Sequence, residues 1–553
     1  RTDCKNNCRR MTRRTTRRIK ALIRTPRLII LVLGIAAGGF VAQSLSGCSV
    51  DTARTPLARV IDRLGQGGLS EDANRHLERF NAAHKKTIDS ALPTFDDKNS
   101  VKGAEAQRSH FRDAFIQVRR DYVRKVPDAE LIDTAIKGIR EAKPEQKTPD
   151  ALVEAALDKM MASLDPHSGY LNPQEYKELR ESNRGEFGGL GIEVRMQDGF
   201  VKVVTPIEDT PAARAGLKSG DLITHLDGVA IKGKTLMQAV KLMRGKPGTD
   251  ILLTVNRADM SPFDVTIVRA VIHVRSVKWR LEGDVGYVRV TKFDENIATG
   301  IDKAITEIRE KLGDGMAGLV LDLRSNPGGL LHQSLALSDA FLDDGVIVSV
   351  SGRNGARERS FEADNGDIID GLPIVVLING NSASASEIVA GALQDHGRAV
   401  IMGQQSFGKG SVQTIMPLPV EGALKLTTQL YYSPSGRAIQ ARGIDPDIQI
   451  VPMPKKQNNK QDKQPADDAA PKAGKEVKNK KPIIKHEVDM PGALAAVGED
   501  KKHASASLPE KNCSPVGEKE DRPLGCALAL LHASSTKAFL ASMGVSMGAT
   551  PAM

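Results

Sequence analysis

Aromatic residues, cysteine and long apolar runs are all scarce in this sequence. Phe, Tyr and Trp make up 4% of its 553 residues, and there is one Trp. Its five Cys cannot build a disulfide scaffold over such a length. No Cys or His cluster has metal-ligand spacing, so no metal is called for. The apolar run Leu28–Val41 has fourteen residues, short of the ~20 that a bilayer-spanning helix needs. Net charge is also lacking beyond residue 27. The first 27 residues hold eleven Lys/Arg and one acid, which accounts for the whole excess of +10. A folded part without a basic face argues against a nucleic-acid partner.

What is present at the N-terminus is an address. A basic stretch followed by a short apolar run has the layout of an export signal. Leu45-Ser46-Gly47-Cys48 resembles a lipobox, with Cys48 as the lipid attachment point; the alternative is an uncleaved anchor. Either places the rest of the chain across a membrane, in a bacterial periplasm or cell envelope, because the positive end stays inside. Met11 is a plausible start. The Arg pairs at 13–14 and 17–18 also suit a twin-Arg signal.

Six segments follow from composition and periodicity. Residues 1–48 are signal or anchor, and 49–104 a polar spacer with some helix. Residues 105–186 carry helical spacing, as in Phe111, Phe115, Val118 and Tyr122. Residues 187–270 are short β-branched runs around one amphipathic helix, Leu236–Met243. Residues 271–452 alternate strands and helices, which predicts a largely parallel sheet. Residues 453–553 read as a low-complexity tail with a terminal helix near Ala527–His532. In that tail Cys513 and Cys526 either pair or stay free.

The β module opens with Phe187-Gly188-Gly189-Leu190-Gly191-Ile192. A Gly-rich loop running into a strand turns successive backbone N–H groups inward, which suits a peptide carboxylate. Ala215-Gly216-Leu217-Lys218-Ser219-Gly220-Asp221-Leu222-Ile223 follows. Together these resemble a PDZ domain, with Gly189, Leu190, Gly191 and Ile192 facing the C-terminus of a polypeptide.

Three segments of the α/β region carry chemistry. In Arg324-Ser325-Asn326-Pro327-Gly328-Gly329, glycines after a strand let backbone N–H groups approach a substrate, and such groups can stabilise an oxyanion. In Asn379-Gly380-Asn381-Ser382-Ala383-Ser384-Ala385-Ser386, a Ser stands at a helix N-terminus, where developing negative charge is favoured. Ser382, Ser384 and Ser386 remain alternatives on these grounds, as does simple helix capping. In Ser406-Phe407-Gly408-Lys409-Gly410-Ser411-Val412-Gln413, a Lys held in an apolar pocket would lose its proton and could act as a base. Gln413, on the same face of an extended segment, could orient it. His396 and His167 form no triad order.

With Ser163–Ser168 and the β module, these segments closely resemble the carboxyl-terminal processing (tail-specific) proteases, over Phe111–Ile450. The resemblance implies a multidomain α+β protein with a helical cap, a PDZ β module and an α/β core related to the crotonase and ClpP folds. It implies a serine endopeptidase that needs no cofactor, with Ser384 as nucleophile, Lys409 as base and Gln413 orienting it. Ala385 with Gly328 or Gly329 would form the oxyanion hole. The substrates would be polypeptides bound by their C-termini, with the N-terminus giving membrane association; an adaptor protein and a homo-oligomer stay open. The other readings are a PDZ scaffold with a dead core and a crotonase-like acyl-CoA enzyme.

Overall fold

The computed structural model describes residues 70–91, 98–142, 148–258, 260–353, 357–364, 366–453, 486–497, 505–518 and 520–545. The segment expected to be an export signal, Cys48 and the Lys/Gln-rich stretch 454–485 lie outside them. The described residues from Glu71 onward form one compact unit. Among the described residues no helix is long and apolar enough to cross a membrane.

Four helices come first: α1 (Glu71–Ala91), α2 (Lys98–Asp121), α3 (Asp128–Glu141) and α4 (Pro149–Ala162). Leu131, Ala135 and Ile139 of α3 and Leu152, Ala156 and Met160 of α4 are buried at the predicted helical spacing. The segment after α4 does not stay helical. It forms a short strand, β1 (Gly169–Leu171), before α5 (Pro173–Asn183), whose Asn172 cap accepts the Glu175 N–H.

The β module is entered and left through one antiparallel pair, β2 (Glu186–Gly189) with β9 (Ala270–His273). Between them lie β3 (Ile192–Gln197), β4 (Phe200–Pro206), a turn of helix α6 (Pro211–Arg214), β5 (Leu222–Leu226), β6 (Val229–Ala230), α7 (Leu236–Met243), β7 (Asp250–Asn256) and β8 (Phe263–Val268). The sheet order is β3-β4-β5-β7-β8, so β3 is an edge strand.

The core follows: β10 (Val277–Glu282), β11 (Val285–Val290), α8 (Ile297–Leu312), β12 (Gly318–Asp322), α9 (Leu331–Asp339), β13 (Val346–Ser351), β14 (Arg357–Glu362), β15 (Ile374–Ile378), α10 (Ala385–Asp395), β16 (Ala399–Gly403), β17 (Ser411–Pro417), β18 (Ala423–Tyr432) and β19 (Ile448–Val451). Then come β20 (Ala506–Pro509), α11 (Arg522–Leu531) and α12 (Thr536–Ser542). Seven strands form the main sheet in the order β10-β11-β12-β15-β16-β19-β20, and every pair but β10/β11 is parallel. A second sheet, β1-β18-β13-β14 with β17 on β18, ties the helical region to the core.

The tail is corrected by this arrangement. Strands β12 and β15 are buried at every position, so both faces of the parallel sheet need cover. Helices α8 to α10 pack one face through Ile301, Ile305, Leu337 and Val389. The other face, with Val320, Val375 and Leu377, is covered by Leu524, Leu530, Phe539 and Leu540 of the tail. Residues 506–509 add a strand, and Cys513 and Cys526 are bonded to each other. The described residues of 505–545 therefore belong to the core; the helix expected near Ala527–His532 is α11, longer than its sequence signal, and α12 follows it.

Candidate active site

Strand β15 ends in a turn that leads into α10. Ser382 is fully buried, and its hydroxyl donates to the Leu323 carbonyl (2.9 Å). Ser386 is also buried and donates to the Asn326 carbonyl (3.0 Å). Both hydroxyls tie the turn to the Arg324–Gly329 loop. Ser384 stands between them, half-buried, at φ +56°. That is a left-handed backbone for a residue with a Cβ, uncommon outside strained functional turns. The turn itself holds the conformation, through Ala383 N–H to Asn326 O (3.0 Å) and Ser384 N–H to the Glu387 carboxylate (2.6 Å).

Glu387 is fully buried in the first turn of α10. Besides the Ser384 N–H, it accepts the Ser406 hydroxyl (2.5 Å) and the backbone N–H groups of Gly408 (2.7 Å) and Lys409 (2.9 Å). Burial pushes its carboxyl up to about 7, against donors that favour the charged form. One carboxylate thus fixes the backbones of the Ser384 turn and the Lys409 loop together. The Phe407 N–H adds a bond to the Ser382 carbonyl (3.0 Å).

Lys409 is bracketed by glycines because the chain at 439–443 runs directly against it. A Cβ on Gly410 would collide with the Gln440 backbone nitrogen. Burial, and next the Lys425 ammonium, bring the Lys409 amine down to about 8; Glu487, Glu387 and Asp165 act in the opposite sense. The Tyr431 hydroxyl donates to the Lys409 carbonyl.

Gln413 lies on β17. Its amide nitrogen donates to Ser411 Oγ (2.9 Å) and Thr427 Oγ1 (3.3 Å), which leaves the amide oxygen as its acceptor. Thr427 in turn donates to Asp165 (3.1 Å), and Ser168 donates to the other oxygen of Asp165 (2.6 Å). The motif Ser163–Ser168 therefore anchors Thr427 of β18, the strand paired with β17, and through it the Gln413 amide.

Gly328 runs beside the Ser384 turn. A Cβ there would lie 2.8 Å from Ser384 Cβ and 3.0 Å from Ala385 N. Its own N–H is committed to Asn326 Oδ1 (2.9 Å). Of the two glycines, Gly329 therefore keeps its N–H for a ligand. Ala385 N–H opens α10, where no carbonyl of the helix can accept it.

Ser384, Ala385, Gly328, Gly329, Lys409 and Gln413 all line one cleft of about 350 Å³. Gly189, Leu190, Gly191 and Ile192 line a separate groove on the β module, walled by Val240, Met243 and Arg244 of the α7 side. His396 Nε2 donates to the Val346 carbonyl (2.8 Å) and His167 Nε2 pairs with the Glu487 carboxylate (2.8 Å), so neither joins a triad with Ser384. Sequence reasoning passed over Glu387, although Ser384-x-x-Glu387 before an apolar helix is the spacing of a capping box. Tyr431 and Lys425 carried no signal.

Residues 284–450 match the model for peptidase family S41, and residues 188–267 match a PDZ domain. The chain is 50% identical over 369 residues to a carboxy-terminal-processing protease of Bartonella bacilliformis, covering 66% of this chain and 79% of that one. It belongs to the carboxy-terminal-processing protease family. It is also similar to a probable CtpA-like serine protease of Staphylococcus haemolyticus, at 35% identity over 58% of this chain and 64% of the other. Among solved structures it resembles the photosystem II D1 C-terminal processing protease, with 30% identity, 62% and 92% coverage and a TM-score of 0.42. The chain is thus a C-terminal processing serine protease with a PDZ domain and an S41 core.

Proposed function

We propose that this family member cleaves by a Ser–Lys dyad through an acyl-enzyme. Neutral Lys409 takes the Ser384 proton as the hydroxyl attacks the scissile carbonyl. The N–H groups of Ala385 and Gly329 hold the oxyanion, and the Gln413 oxygen orients the amine. The amine then protonates the leaving nitrogen, and water resolves the acyl-enzyme with Lys409 again as base. The observation that carries this reading is that Ser384, alone of the three serines, lines the same cleft as Lys409. A lysine at about 8 is neutral in about one molecule in five near pH 7.4, against about one in a thousand at an ordinary 10.4. Ser384→Ala should abolish turnover of an unfolded, apolar-tailed protein, and Lys409→Ala should lower it by ~10³. Turnover that survives Lys409→Ala would overturn the dyad.

The polypeptide is delivered by its C-terminus. Strand β3 presents an open edge for an added strand, and Phe187, Leu190, Ile192, Val240 and Met243 suit an apolar terminal side chain. Three clefts follow one another from there. Phe187 and Arg244 line both the β3 groove and a cleft at the β2–β9 stem, and Lys292 lines both that cleft and the catalytic one. This supports a tail route from PDZ groove to Ser384. The substrates are exported proteins of a bacterial envelope, in keeping with the N-terminal layout and with a Cys513–Cys526 disulfide, which persists in oxidising compartments. Mass spectrometry of the mature N-terminus tests the address. A native N-terminus at Arg1 or Met11 without lipid would remove Cys48 as an anchor.

A further inference from the structure

The base loop has a second support that comes from the far end of the chain. Glu487 is completely buried, in a segment that follows the charged stretch 454–485. Its N–H donates to the Phe407 carbonyl (2.8 Å), and the neighbouring His486 Nδ1 lies 3.2 Å from the Ser406 carbonyl. Its carboxylate accepts Gln440 Nε2 (3.0 Å), while Gln440 Oε1 accepts the Gly410 N–H (2.9 Å). The same carboxylate meets His167 Nε2 through both oxygens, at 2.9 and 2.8 Å. Residues on both sides of Lys409 are therefore bonded, directly or through one side chain, to Glu487.

A buried carboxylate is costly unless it is paired and hydrogen-bonded. A purely structural contact would be served by an apolar side chain here. What an anion adds is a fixed acceptor for two groups, His167 Nε2 from the helical region and Gln440 Nε2, whose amide oxygen holds the base loop at Gly410. We propose that Glu487 is a positioning residue for Lys409, a strap that holds the 406–410 loop against the nucleophile turn and is itself anchored by His167. The strap rests on the reading of Lys409 as the base. It lies outside the family-matched residues 284–450.

The charge also acts on the base. Lys409 is faced by Lys425 of β18, Glu387 of α10, Asp165 of the helical region and Glu487 itself. Glu487 favours the ammonium form, so removing its charge lets Lys409 lose its proton at lower pH. The strap therefore makes two opposite demands: order in the loop and restraint on the amine.

The test is the pH profile of kcat for the full chain with Glu487→Gln, on a chromogenic peptide. The expected result is a plateau lowered about tenfold, KM changed less than threefold, and an ascending limb moved to lower pH by half a unit or more. His167→Leu leaves the Glu487 charge in place but removes its anchor, so it should lower the plateau without moving the limb down. It also serves as the second variant if Glu487→Gln fails to fold. An unmoved limb with a plateau within twofold of the parent overturns the strap. Lys409→Ala, run alongside, separates the two readings. If that variant is inactive while Glu487→Gln behaves as the parent, the strap alone is wrong; if it stays active, the dyad is wrong.

Discussion

At the scale of single residues, neighbouring serines have opposite fates for simple reasons. Ser382 and Ser386 are buried with their hydroxyls spent on the carbonyls of Leu323 and Asn326. Ser384→Ala should remove fluorophosphonate labelling altogether. Ser382→Ala and Ser386→Ala should keep it while losing ~1 kcal/mol of stability each, the net worth of one buried hydrogen bond. Labelling of either in the Ser384→Ala protein would contradict the assignment. The base predicts a pH limb. Lys409 must be neutral to accept a proton, so kcat should rise with pH through about 8. Lys425→Met removes a neighbouring positive charge, raises the Lys409 pKa and should move that limb upward. A downward shift would mean that Lys425 does not act on Lys409 by its charge. The three-serine ambiguity in the sequence could not be resolved by residue type, because what separates the serines is φ at 384 and the paths of two remote carbonyls.

Secondary structure was the most legible level. Helix Leu236–Met243 and strand Ile374–Ile378 fall where the apolar periodicity puts them. The departures are instructive. Gly169–Leu171, within the stretch expected to be helical, is a strand because it adds to β18, a partner more than 250 residues away. No local pattern encodes such a pairing. Tail residues 505–545 read as low complexity apart from a helix near Ala527–His532, yet β12 and β15 are apolar on both faces and therefore demand a cover that the segments up to 452 do not supply. The edge of β3 and the wall of α7 make a prediction at this scale. Val240→Glu puts a carboxylate without a partner into an apolar groove, which is costly to bury. KM for an apolar-tailed protein should rise tenfold or more, while hydrolysis of a short ester, which cannot reach the groove, stays within twofold. Equal loss on both substrates would mean that the groove is not a tail site.

At the scale of the whole molecule, the C-terminal extension links sheet stability to catalysis. Arg324, the first residue of the loop proposed to hold the oxyanion, is held between Asp322 (2.7 Å) and Asp521 (2.7 Å). Asp521 also caps α11 by accepting the Leu524 N–H (3.1 Å), and it lies inside the loop closed by Cys513–Cys526. The disulfide closes a loop of sequence separation 13, which contributes about 3 kcal/mol by restricting the unfolded chain. Its removal should act twice. In the Cys513→Ser/Cys526→Ser double variant the melting temperature should fall, since α11 and the Leu524 and Leu530 cover of the sheet are less firmly held. Below that transition, kcat should fall three- to tenfold because the Asp521 side of Arg324 is loosened, and the oxyanion loop with it. Asp521→Asn keeps the disulfide but weakens the ion pair, so it should reproduce the kcat loss with a smaller drop in melting temperature. If the double variant melts lower yet turns over at the parental rate, the extension only covers the sheet, and Arg324 holds its loop through Asp322 alone.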